Sequence, residues 1–201
     1  MLISFEGIDG CGKSTQIDLL KKYLDSKNLA YFVFREPGGT EISEKIRSLL
    51  LHDSEEMDSV TELLLFSAAR SQLIIEKVKP LLLKNEIVIL DRYYDSTTAY
   101  QGYGRGKVPL DSIHTLNRLA SHTTVPDITF YLKIDPELAQ ERTSEFSKDR
   151  MESAGIEFFR SVSDGYDELA KRETRFIIIE ASKKVEDIHS DIIKHLDFQL
   201  I

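Results

Sequence analysis

Three groups of residues in this 201-residue chain have the types and spacing to do chemistry. The first is Gly7-Ile8-Asp9-Gly10-Cys11-Gly12-Lys13-Ser14, followed by Thr15, which fits G-x-x-x-x-G-K-[ST] between an apolar run and a helical pattern. In such a loop the glycines let backbone N–H groups converge on phosphate oxygens, and the helix N-terminus adds partial positive charge. Lys13 can then reach the β- and γ-phosphates, and Ser14 can ligate magnesium. Cys11 stands where only a backbone amide is needed, so its thiol is expected to pack beside the loop. The second group, Asp91-Arg92-Tyr93, ends another apolar run. Its carboxylate can hold a magnesium-bound water, and its guanidinium can fork onto a phosphate. A structural Asp91–Arg92 ion pair capping the strand is the plainer alternative. The third group comprises Arg35-Glu36-Pro37-Gly38-Gly39-Thr40, Arg47, and Phe66 with Arg70. Phe66 and Arg70 are four residues apart and share a helix face, giving a stacking surface beside a hydrogen-bond donor. That pair suits a planar base with a carbonyl oxygen.

A phosphate-binding loop identifies a nucleotide site, not a reaction. A small-molecule kinase, a GTPase switch and a nucleotide-binding regulatory module all carry one. The GTPase reading requires N-K-x-D to read guanine, yet none of Asn28, Asn85 and Asn117 precedes a lysine. A regulatory module needs no acceptor site, so the second and third groups favour the kinase.

These groups must be positioned by regular elements. Apolar, β-branched or aromatic runs at Leu2–Phe5, Tyr31–Phe34, Ile87–Leu90, Ile128–Ile134 and Phe176–Ile179 read as five strands. Helical spacing lies between them, as at Ile17, Leu20 and Leu24 or Leu63, Phe66 and Leu73. Alternating strands and helices predict an α/β fold, a parallel sheet covered on both faces. Ligands then gather at the carboxyl ends of the strands, where the loop Gly7–Ser14, Asp91-Arg92 and Arg35–Thr40 fall, while Arg47, Phe66 and Arg70 follow on helices. Asp135-Pro136 and Val108-Pro109 read as helix starts, a helix begins near Thr40, and Pro80 divides the segment Thr61–Lys84. Residues 143–155 read as a mobile surface segment, followed by a helix over Glu152–Lys171 whose Phe158, Phe159, Val162 and Tyr166 are expected to be core. With 41% hydrophobic residues the chain fits one domain over residues 1–201. A net charge of −8 argues against a nucleic-acid groove. One cysteine excludes an internal disulfide and a cysteine-rich zinc site. No signal-peptide pattern or membrane-length apolar run is present, which predicts a soluble cytoplasmic protein.

Taken together with Ile46-Arg47, Ala69-Arg70, Ser96-Thr97-Thr98-Ala99-Tyr100-Gln101-Gly102 and Pro126-Asp127-Ile128-Thr129-Phe130-Tyr131-Leu132, these groups resemble bacterial-type thymidylate kinase over nearly the whole chain. The resemblance implies a three-layer P-loop nucleoside-monophosphate-kinase-like fold and transfer of the ATP γ-phosphoryl to dTMP with Mg2+; a kinase for another nucleotide or nucleoside, or an ATP-binding regulatory module, is the alternative. It implies that Phe66 stacks on thymine and that Arg70 and Gln101 read the base edge. Arg47 and Arg92 would clamp the acceptor phosphate, and Tyr100 would crowd the ribose 2′ position. Ser96, Thr97, Glu36 and Pro37 would complete the acceptor wall. Asp9 would lie near the acceptor sugar and the metal, with Ser14 and Asp91 as the metal-side residues. Relatives with glycine at the position of Gly10 resemble a type whose catalytic basic residues come from the lid. Arg142, Lys148 and Arg150 are the candidates here, although three acids and Phe146 dilute that cluster. A homodimer is implied as well.

Overall fold

Every apolar run becomes a strand: β1 (Leu2–Glu6), β2 (Tyr31–Arg35), β3 (Ile87–Asp91), β4 (Ile128–Lys133) and β5 (Phe176–Glu180). They form one sheet of order β2-β3-β1-β4-β5 in which every neighbouring pair is parallel. The computed structural model describes residues 1–52, 56–144 and 150–200, without the side chains of His52, Glu152 and 197–200. Five lid residues, Glu145, Phe146, Ser147, Lys148 and Asp149, therefore lie outside the described residues.

Strand side chains alternate between two faces, and both faces are covered. Ile3, Phe5, Ile89, Ile128 and Phe130 pack with Ile17, Leu20 and Leu24 of α1 (Lys13–Ser26) and Ile188, Ile192 and Leu196 of α9 (Val185–Leu200). On the other face Leu2, Val88 and Leu90 meet Leu73, Ile74 and Val78. Farther along that face Tyr131 stacks on Tyr166 of α8 (Ile156–Arg172), with ring centroids 5.1 Å apart. The α2 helix (Glu41–His52) packs on α3 (Ser59–Leu73), whose first turn is capped by the Asp58 carboxylate.

Pro80 divides its segment as expected. α3 loosens into a wide turn over Ile74–Val78 before α4 (Lys79–Leu82), because the proline lacks the N–H for a regular i to i−4 bond and its ring crowds that carbonyl. A second wide turn, Thr98–Gly104, continues α5 (Tyr94–Thr97) and carries Tyr100 and Gln101. α6 (Leu110–Ala120) starts after Pro109. α7 (Pro136–Arg142) starts after Asp135, whose carboxylate accepts from Glu137 N and Leu138 N at 3.0 and 3.2 Å. The helix expected from Glu152 begins instead at Ile156. Glu152–Ala154 form a single 3-10 turn, and Gly155 at φ 88 breaks it from α8.

Candidate active site

The loop between β1 and α1 closes tightly over the end of β4. Gly7 has φ 137, and a Cβ there would sit 2.6 Å from Leu132 O and 2.9 Å from Cys11 Sγ, so the loop can fold this way only around glycine. The buried Cys11 thiol fills the space beside it, as expected. Lys13 is buried too, and its ammonium donates to the Gly7 and Ile8 carbonyls at 3.0 and 3.2 Å. Ser14 and Thr15 are exposed on the first turn of α1. A cavity of about 500 Å³ opens over these residues and is also lined by Asp91, Arg92, Arg142 and Thr143. Arg142 donates to Ala181 O at 3.1 Å, which holds it at the rim after β5. Among the described residues no group of three or more His, Cys, Asp or Glu could hold a metal ion. Ser14 and Asp91 nevertheless face the same cavity.

A second cavity, of about 160 Å³, adjoins the first. Its wall contains Glu36, Pro37, Arg47, Phe66, Arg70, Arg92, Ser96, Thr97, Tyr100 and Gln101, which brings together every residue assigned to the acceptor side from sequence. Asp9, Glu36, Arg47 and Arg92 line both cavities, so the two communicate.

Arg92 stands at the junction. The end of β3 places it, and a left-handed φ of 69 turns its side chain back over the loop. It donates to Gly7 O at 2.9 Å and Ser96 Oγ at 3.3 Å, and forms an ion pair with Asp9 at 2.5 Å. Its partner is thus Asp9 across the loop; the neighbouring Asp91 forms no such pair. Tyr100 completes the corner, donating to Asp9 Oδ2 at 3.0 Å while its ring lies 5.0 Å from the guanidinium. Burial works to raise the Asp9 pKa, but Arg92 and Lys13 outweigh it and hold the carboxyl at about 2.

Arg70 is buried at the far end of the second cavity. Nε donates to Glu36 Oε2 at 2.7 Å, Nη1 to Asn117 Oδ1 at 3.3 Å and Nη2 to Thr97 Oγ1 at 2.9 Å. Nη2 also lies 2.7 Å from Glu36 Oε2, so of the five N–H donors one, on Nη1, remains for a ligand. Among the described residues Glu36 Oε1, which is buried, has no hydrogen-bond partner, leaving an acceptor at the meeting of the two cavities. Burial raises the Glu36 pKa, partly countered by Arg70.

Other contributors escape a reading by motif. Glu6 ends β1 and accepts from Tyr93 N at 2.8 Å, Ser96 Oγ at 2.6 Å and Tyr166 Oη at 3.0 Å. Burial chiefly, with the negative charge of Asp95, pushes its pKa up to about 7. Its signal was a carboxylate closing an otherwise apolar strand. Tyr166, expected to be core, is core through its ring only, since its hydroxyl lies 2.8 Å from Ser96 Oγ in the same network. Glu62 accepts from Gln101 and Arg105 and pairs with Arg150 at 2.6 Å. Arg150, assigned to the lid's catalytic cations, thus sits on the acceptor side, with Nε also donating to Leu50 O at 2.9 Å.

A family profile described as Thymidylate kinase matches residues 5–192. The chain belongs to the thymidylate kinase family. Similar members include the thymidylate kinase of Fervidobacterium nodosum, 46% identical over 194 residues that cover 96% of this chain and 97% of that one. That of Chlorobaculum tepidum is 47% identical over 210 residues, covering 98% and 97%. A crystal structure of thymidylate kinase from Ehrlichia chaffeensis superposes with a TM-score of 0.81 at 38% identity, covering 98% of each chain. The three-layer P-loop kinase architecture expected from sequence is the one found, and members of this family are ATP-dependent nucleoside monophosphate kinases.

Proposed function

We propose that this chain transfers the γ-phosphoryl group of ATP to dTMP, giving dTDP. The observation that carries this reading is the second cavity, in which an aromatic ring, a buried guanidinium and an amide meet next to a phosphate-binding loop. ATP would lie over Gly7–Thr15, its phosphates replacing Gly7 and Ile8 carbonyls as partners of Lys13. dTMP would enter the second cavity with thymine on Phe66, its base edge toward Arg70 and Gln101, and its phosphate toward Arg47 and Arg92. Tyr100, held by Asp9, would close the space beside C2′ and favour deoxyribose.

The acceptor phosphate has a second pKa near ~6, so its attacking oxygen is largely ionised at neutral pH and needs no strong general base. What these residues supply is position and charge. Lys13 and Arg92 hold two mutually repelling anions in line as charge spreads over the migrating group. Magnesium, when bound, would supply positive charge against the negative charge that develops on the transferring group. Ser14 and Asp91, which face the donor cavity, would hold it. Arg142 lines the donor cavity as a candidate for the transferring group.

We also infer a homodimer, supported by apolar side chains left exposed on α2 and α3, namely Ile42, Leu49, Val60 and Leu64. We infer a cytoplasmic location. Among the described residues no helix is long and apolar enough to cross a membrane. The deciding experiment follows ADP release with dTMP, dUMP, UMP, CMP and AMP as acceptors. dTMP should be preferred. Equal turnover of all five, or ATP hydrolysis indifferent to any acceptor, would overturn the reading.

A further inference from the structure

Glu62 lies in the first turn of α3, buried, and is not part of any motif that marks the site. Oε1 accepts from Gln101 Nε2 at 2.9 Å and Arg105 Nε at 3.2 Å. Oε2 accepts from Arg105 Nη2 at 3.1 Å and pairs with Arg150 Nη1 at 2.6 Å. Burial opposes its charge, yet the bonds from Arg105 and Gln101 and the charge of Arg150 hold its pKa below the usual carboxylate range. An ionised carboxylate only accepts hydrogen bonds. The end of the Gln101 amide that faces it must therefore be the NH2 group, whichever base is bound.

We propose that Glu62 is a positioning residue for acceptor specificity: by fixing the Gln101 amide it presents Oε1 to the cavity as an obligate acceptor. This inference rests on the dTMP reading above. Arg70 has only donors to offer, so in the proposed pose it needs an acceptor at the base position it faces. Gln101 Oε1 beside it needs a donor at the adjoining position. A donor next to an acceptor selects an imide, C=O beside N–H, as in thymine and uracil. Cytosine reverses both, with a ring nitrogen that accepts and an amino group that donates, so both contacts would oppose it.

Glu62→Gln makes a directional test. Oε2 meets two cationic donors, Arg105 Nη2 and Arg150 Nη1, whereas Oε1 meets only the longer Arg105 Nε contact and an amide that can turn over, so the new carbonyl oxygen stays at Oε2 and the new NH2 faces Gln101. The Gln101 amide then turns over and offers its own NH2 to the cavity. The ratio of kcat/KM for dTMP over dCMP should fall by roughly ten- to a hundredfold, the range for one buried polar group left unpaired. Glu62→Asp, still acceptor-only, should keep more of the ratio. If Glu62→Gln lowers both substrates equally, Glu62 is structural only and the inference fails. If wild-type protein shows no preference for dTMP, the underlying function fails instead. Should Glu62→Gln not fold, the wild-type Gln101 side-chain amide protons can be followed by NMR. Protection from exchange with dTMP bound is expected, whereas contacts from those protons to the thymine ring would overturn the proposal.

Discussion

The site turns on a few charged side chains whose partners are known. Arg92→Ala should leave ATP affinity within a few-fold of wild type by calorimetry. It should slow transfer by about a hundred- to a thousandfold, the scale for losing one fixed positive group at a developing charge. Equal loss of both would remove Arg92 from the acceptor side. Asp9 and Glu6 give opposite pH signatures. Asp9 has a depressed pKa of about 2 against 3.8, so its stabilisation is complete above about pH 4 and lost as pH falls toward 2. Asp9→Asn should erase that acid limb in denaturant midpoints measured across pH. Glu6 has a raised pKa, about 7 against 4.5, so the folded state retains its proton and stability declines as pH rises through that window. Glu6→Gln should flatten the decline. At this scale the sequence was informative where chemistry marks residue types, as in Lys13, Arg70 and Arg92. It was mute about Glu62 and the Tyr166 hydroxyl, and gave for Glu6 only a carboxylate at a strand end, because a carboxylate or a phenol acquires its role from partners such as Ser96 and Arg150 that only folding brings near.

Elements carry the next level. Gly10 has φ 84, and a Cβ on it would lie 2.4 Å from Ala139 O, a backbone atom of α7. Gly10→Ala should therefore cost about 1–3 kcal/mol from strained backbone alone. It should also displace α7, with Arg142 at its end, so the melting temperature and the transfer rate should fall together. A melting temperature within a degree of wild type would contradict this contact. All five strands were readable, because apolar runs of that length between helical spacing leave few alternatives. Asp135-Pro136 was readable because a cap acts on the N–H groups two and three residues on, here Glu137 and Leu138. The start of α8 was not, since the apolar spacing of Phe158 and Val162 continues backward without marking the turn that Gly155 makes.

For the whole molecule, the exposed apolar side chains of α2 and α3 are the face on which the homodimer is proposed to form. Leu64→Glu should shift sedimentation from dimer to monomer and make the melting temperature independent of protein concentration; a wild-type chain already monomeric at micromolar concentration would reject the pairing. Composition gave no hint of this face, because an exposed leucine and a core leucine count alike. The strand order has a further consequence. β1 is made first and lies in the middle, yet its partners are β3, in register from Val88, and β4, in register from Ile128. Until Ile128 has been synthesised, Leu2–Phe5 lack one neighbour and present an apolar strand edge to the surroundings. Such long-range parallel pairing is slow to form and open to aggregation while it waits. Recovery on refolding should therefore drop as concentration rises, and chains truncated before Ile128 should be insoluble, so the strand that organises both nucleotide sites is also the one that makes the nascent chain most dependent on timing.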